Sequence, residues 1–142
     1  MIDFASSPQS TLGVEWEIAL IDRESGELTQ RASEVLSILR ERRPELLKPA
    51  SDRAHVTGEF LENTLEVVTG ICRTVAEACR QLQDLADTLR DITDELGIEF
   101  YPAGTHPFSH WADQPVVAKE RYQRVVERAQ YWGRHMVIYG VH

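Results

Sequence analysis

In Leu12-Gly13-Val14-Glu15-Trp16-Glu17-Ile18-Ala19-Leu20-Ile21-Asp22, the residues Val14, Trp16, Ile18 and Leu20 alternate with Glu15, Glu17, Ala19 and Ile21. A period of two places the two sets on opposite faces of a β-strand, so the fold is read as built on a sheet. Ser25-Gly26 supplies a turn, and Glu27-Leu28-Thr29 reads as a short return strand.

Further along, Ser33 is an expected N-cap for a helix carrying Val35, Leu36, Ile38 and Leu39, stopped by Pro44 near Arg43. Residues 44–54 read as loop, and residues 56–69 as a second extended region. The clearest element is a helix from about Thr74 to Leu96. Thr74-Val75-Ala76-Glu77 has the form of a capping box, and Gly97 is a natural C′ residue. Its expected apolar stripe runs through Val75, Ala78, Cys79, Leu82, Leu85, Ala86, Leu89, Ile92 and Leu96. A short strand at Ile98–Tyr101 follows. Residues 117–133 form another expected helix, with Tyr122, Val125, Val126, Ala129 and Trp132 on its inner face. An apolar strand, Met136–His142, ends the sequence. The sum is an α+β fold, a mainly antiparallel sheet with helices packed on one face.

The 142 residues suit one domain, with 42% hydrophobic and 27% charged residues, which excludes disordered and collagen-like classes. Residues 1–10 read as a flexible lead-in and 11–142 as the domain. A net charge of -8 repels phosphate backbones and anionic lipid, so neither nucleic acid nor a membrane surface is an expected partner. No run reaches the length of a membrane span, and Met1-Ile2-Asp3-Phe4 lacks the basic region of a signal peptide. Cys72 and Cys79 match no redox or zinc spacing; they are expected two turns apart on one helix, reduced, in a cytoplasmic protein.

Glu15 and Glu17 share a strand face. Two readings stay open for them: a solvated face, or a platform for a divalent cation, since hard cations take carboxylate oxygens. Glu59, Glu62 and Glu66 lie in Gly58-Glu59-Phe60-Leu61-Glu62-Asn63-Thr64-Leu65-Glu66. Seven residues separate Glu59 from Glu66, so a bend or bulge is needed to bring both to one site; otherwise they edge an exposed strand. His106 and His110 have a metal-ligand spacing only if helical, which Pro107 opposes. His106 reads as a loop hydrogen-bonding or pocket-lining residue. Arg121, Arg128 and Arg134 read as a solvated helix face, or one of them as the holder of a carboxylate or phosphate. The sequence has no P-loop, GxGxxG, GxSxG or HExxH pattern.

Four segments together resemble one family. They are Gly13-Val14-Glu15-Trp16-Glu17, Gly58 to Gly70, Ala103-Gly104-Thr105-His106-Pro107-Phe108, and Tyr131-Trp132-Gly133-Arg134-His135-Met136-Val137-Ile138-Tyr139-Gly140-Val141-His142. In this order they are similar to the N-terminal portion of type 2 glutamate–cysteine ligases, the YbdK-type carboxylate–amine ligases. The resemblance implies a glutamine-synthetase-like fold, incomplete here relative to the family. It implies an ATP-dependent ligase of glutathione biosynthesis that joins glutamate to an amine such as cysteine through an acyl phosphate, with Mg2+ (or Mn2+) as cofactor and ATP as co-substrate. It further implies Glu15, Glu17, Glu59, Glu66 and His142 as metal ligands, and His106 and Arg134 as substrate- or ATP-binding residues. Glu62 receives no role. Because the family runs well past this point, the 142 residues alone are expected to show little or no ligase activity. The last strand is expected to lack neighbours and to favour self-association, as a homodimer for instance. The alternative is a non-catalytic binding or dimerisation module derived from the same fold.

Overall fold

The computed structural model describes residues 9–142; the lead-in before residue 9 lies outside the described residues. Its centre is the alternating strand of the sequence, β1 (Glu15–Asp22). The region expected as one extended stretch over 56–69 is two strands, β2 (His55–Gly58) and β3 (Thr64–Val68), folded back by the turn at 59–63. With β4 (Ile98–Tyr101) they form a four-stranded sheet in the order β2-β3-β1-β4, antiparallel throughout.

Trp16, Ile18 and Leu20 enter one core cluster with Val56, Leu65, Val67 and Ile98. Two helices cover that face. The first, α1 (Ala32–Arg42), contributes Val35 and Leu39. Its N-cap is Arg31 rather than Ser33, whose hydroxyl lies within the helix and donates to Glu62 Oε2 at 2.8 Å. Pro44 ends it as expected and opens a 3-10 turn over Pro44–Leu47. The second, α2 (Val75–Glu95), contributes Leu85, Leu89 and Ile92.

The expected cap forms in part: Glu77 N–H donates to Thr74 Oγ1 at 3.2 Å, while Glu77 Oε2 reaches past the cap residue and accepts from the Arg73 N–H at 2.8 Å. Gly97 follows with φ +67°, a left-handed turn that a Cβ would strain. Two expected stripe residues are instead exposed. Val75 and Cys79, four apart, share a face that looks to solvent, while Ala78 between them is buried. Cys72 precedes the helix altogether, buried and bridged to Leu12, so the two thiols do not share a helix. Replacing Thr74 by alanine is expected to cost about 1 kcal/mol, read by urea denaturation; an unchanged midpoint would remove the cap from the account.

Helices do not keep to one face. The third, α3 (Glu120–Arg134), begins later than expected and packs on the opposite side, where Tyr122 joins Ala19, Phe60, Leu61, Val137 and Tyr139 in a second cluster. Trp132 points outward, 76% exposed. Non-helical Gln130 (φ 45°, ψ −119°) interrupts the helical period just before it.

Residues 136–142 are not a regular strand, yet they do have a neighbour. Glu15 and His142 exchange backbone hydrogen bonds of 3.0 and 2.8 Å, and Glu17 N–H donates to the Gly140 carbonyl at 2.9 Å. The segment takes the half of the β1 edge that β4 leaves free. None of the helices described is long and apolar enough to cross a membrane.

Candidate functional site: a carboxylate face on the sheet

The register fixes which glutamates meet. Glu17 stands directly opposite Glu66, and Glu15 opposite Val68. Facing pairs of this kind have Cβ atoms about 5 Å apart, and like charges there are destabilising. Trp16 and Ile18 are in the first core, so alternation puts Glu15, Glu17 and Glu66 together on the second face. The bend required to bring Glu59 to Glu66 is the turn between β2 and β3.

Glu66 reports the crowding. Burial raises its pKa first, and the charges of Glu59, Glu15 and Glu17 raise it further, with Arg121 acting the other way. Four carboxylates therefore share one electrostatic environment.

Each of the others has its own support. Glu17 Oε2 accepts from the Gly140 N–H at 2.9 Å and lies 4.0 Å from His142 Nε2. A Cβ at position 140 would stand 2.8 Å from that same nitrogen, so any larger residue there would push the exposed His142 ring aside. Glu59 Oε2 accepts from the Tyr122 hydroxyl at 2.9 Å, with the Arg121 guanidinium 4.0 Å away and against the same tyrosine. A cleft of about 250 Å³ brings Glu17, Glu59 and His142 together, walled by Phe60, Met136 and Ile138. Glu15 lies on the same face, exposed at its outer end.

Among the described residues, no group of three or more His, Cys, Asp or Glu side chains is already arranged to hold a metal ion. The donor types nonetheless suit a hard divalent cation: oxygen ligands, open to solvent on one side, gathered where burial and then the neighbouring carboxylates raise the Glu66 pKa.

Two expected residues lie elsewhere. His106 is buried in the loop after β4; its Nε2 bonds the Gly26 carbonyl at 3.0 Å and its Nδ1 accepts from the Ser109 N–H at 3.0 Å. Both ring nitrogens are thus engaged in fastening loops. Arg134 closes α3, and its side chain lies outside the described residues.

Tyr122, expected on an inner helix face, and Arg121, one of the three arginines weighed as a holder of a carboxylate or phosphate, stand against Glu59. Other polar residues near the sheet escaped the sequence reading. His55 occupies the same sheet row as Val68 and Glu15; its Nδ1 is buried without a partner, and burial, then the charge of Arg53, lowers its pKa. Asn63 is fully buried beneath the turn. Its amide donates to Gln114 Oε1 at 2.8 Å, while its carbonyl accepts from the Thr64 hydroxyl at 2.9 Å and the Tyr139 hydroxyl at 3.1 Å. Burial, foremost, pushes the Tyr139 phenol well above its ordinary pKa.

Comparison with known proteins shows what the chain as a whole is similar to. The model of the family described as glutamate-cysteine ligase family 2 matches residues 11–142. A protein of Arthrobacter sp. (strain FB24), provisionally named glutamate--cysteine ligase 2-1, is 51% identical over 99% of this chain and 37% of its own length. Its counterpart in Paenarthrobacter aurescens (strain TC1), provisionally glutamate--cysteine ligase 2-2, is 50% identical over the same shares. A Corynebacterium efficiens relative, again provisionally glutamate--cysteine ligase 2-1, is 47% identical over 99% of this chain and 35% of its own length. The chain thus spans little more than a third of the relatives it matches.

Proposed function

This chain belongs to glutamate–cysteine ligase family 2, and from that premise we propose that it supplies the carboxylate floor of an ATP-dependent carboxylate–amine ligase with a glutamine-synthetase-like fold, acting in the cytoplasm. The observation that carries the reading is the half-buried Glu66, raised by its burial and by the charges of Glu59, Glu15 and Glu17. A protein does not gather four like charges at one place for stability.

Glu15, Glu17, Glu59 and Glu66, with His142 at the rim, would hold Mg2+ or Mn2+. Such ions supply charge neutralisation for phosphate oxygens during phosphoryl transfer. The reaction proposed moves the γ-phosphoryl group of ATP to the side-chain carboxylate of glutamate, releasing ADP. An amine such as cysteine then attacks the acyl phosphate, forming the amide and releasing phosphate. The nucleophiles are substrates, which accords with buried Cys72 and exposed Cys79 having no catalytic partner in the proposal. This chain's residues have defined tasks: Gly140 N–H and Tyr122 hydroxyl orient Glu17 and Glu59, and Arg121 balances charge at the cleft mouth.

The test is ADP release dependent on glutamate and cysteine, measured on a full-length relative and on this chain. The relative is expected to turn over and this chain to show little or no turnover. Glutamate-independent ADP release in the relative would overturn the ligase reading. A dimerisation module is the alternative, suggested by exposed Met136, Ile138 and Val141 beside the last backbone pairing; sedimentation of this chain as a monomer removes it.

A further inference from the structure

Trp111 and Tyr131 meet edge to face, their ring centroids 5.7 Å apart and their planes at 76°. With Val126, Glu127 and Gln130 they wall an open cleft of about 500 Å³, on the scale of a small-molecule site. The cleft lies between the 3-10 turn Trp111–Asp113 and α3, and it shares no lining residue with the carboxylate cleft. His135 stacks on the Trp111 indole at 3.8 Å and 29° but does not line this cleft; it lines a neighbouring one with Phe108 and Ile138. One part of the indole is thus covered by His135, and another faces the cleft.

The lining has a definite chemistry. Two aromatic rings near a right angle form a corner whose π electrons attract a cation. Glu127 adds a negative charge beside them. Elsewhere on α3, Arg124 is paired with Glu120 and Arg121 lies against Glu59, whereas Glu127 enters no ion pair among the described residues. No lysine or arginine lines the cleft. Between Glu127 and Tyr131 the helix is broken by Gln130, at φ 45° and ψ −119°. Backbone strain of this kind persists where the surroundings fix it, commonly at binding sites. The walls are ring faces and a valine, with few acceptors. They suit a cation that has no N–H to satisfy and carries its charge under methyl groups, rather than a metal ion or a primary ammonium.

We propose that this corner binds a small, free quaternary ammonium compound. Its N-methyl groups pack on Trp111, Tyr131 and Val126, and Glu127 balances its charge. The net charge of -8 favours the approach of such a cation. The inference stands or falls apart from the ligase reading.

The probe is choline, titrated into the 142-residue chain by NMR beside 3,3-dimethylbutan-1-ol, its uncharged isostere. Choline is expected to saturate, with shifts at the Trp111 indole N–H and the Glu127 and Tyr131 amides. The alcohol keeps the shape and loses the charge, so it should bind at least about tenfold more weakly. Phosphocholine should bind more weakly than choline, because Glu127 repels its phosphate; this separates a free cation from a lipid headgroup. Tyr131→Phe keeps the ring face and should stay within about twofold of the parent, whereas Tyr131→Leu should lose about tenfold. Glu127→Gln should lose about threefold. Tyr131 and Glu127 are exposed, and circular dichroism checks the fold of each variant. Absence of saturable binding, equal binding of choline and the alcohol, tighter binding of phosphocholine, or indifference to both Tyr131→Leu and Glu127→Gln would each overturn the proposal.

Discussion

Replacing Asn63 by leucine is expected to cost about 3–5 kcal/mol of folding stability, a large share of the roughly 5–15 kcal/mol that holds a domain of this size. The side chains are similar in volume, so the effect is one of polarity. Leucine would leave the Tyr139 hydroxyl without its partner and deprive Thr64 and Gln114 of theirs, all in a buried region. Each orphaned group costs about 1–3 kcal/mol, partly relieved for Gln114 by its bond from Gln30. Tyr139→Phe, which removes a single bond, should cost only about 1 kcal/mol. Urea denaturation with an unchanged slope checks both. Comparable, small losses for the two variants would show that Asn63 is not the hub that ties the turn carrying Glu59 to the segment carrying His142.

The second large effect has opposite signs in two conditions. In a chelating buffer, Glu66→Gln is expected to stabilise the chain, because it removes a half-buried charge facing Glu17. The sign with pH follows. A carboxyl whose folded pKa is raised binds protons more tightly when folded, so its favourable contribution is present below the ordinary glutamate range and lost as pH rises through the raised value. The variant should therefore gain most over the parent at neutral pH and least near pH 4. With Mg2+ present the order should reverse, because the parent alone gains binding energy from the ion. A carboxylate kept only as a solvated surface group would show neither the gain nor the reversal.

Much of this was legible in order along the chain. The alternation of Trp16, Ile18 and Leu20 with Glu15 and Glu17 gave β1 and its two faces, and Thr74, Glu77 and Gly97 bounded α2, because these signals are local. Register is not local. That Glu17 faces Glu66 depends on how two strands align across a turn, and a slip of one residue would have sent the glutamates to opposite faces. The same limit hid the side of the sheet on which α3 packs, since the helix itself was expected. Its apolar residues suggested an inner face but not which side of the sheet it would meet, and the break at Gln130 put Trp132 outside. That Tyr122 and Arg121 meet Glu59 in particular depends on tertiary packing, although the sequence alone places Tyr122 on an inner face and offers Arg121 as an anion holder.

The central claim is that the second sheet face holds divalent cations through its glutamates. Its most direct test is a Mn2+ titration of the 142-residue chain, followed by the electron paramagnetic resonance signal of the free ion, with Glu17→Gln and Glu66→Gln alongside and circular dichroism confirming each fold. The account predicts saturable binding by the parent that competes with Mg2+ and weakens at least about 100-fold in either variant. Binding of equal strength in all three proteins, or none in the parent, would contradict it.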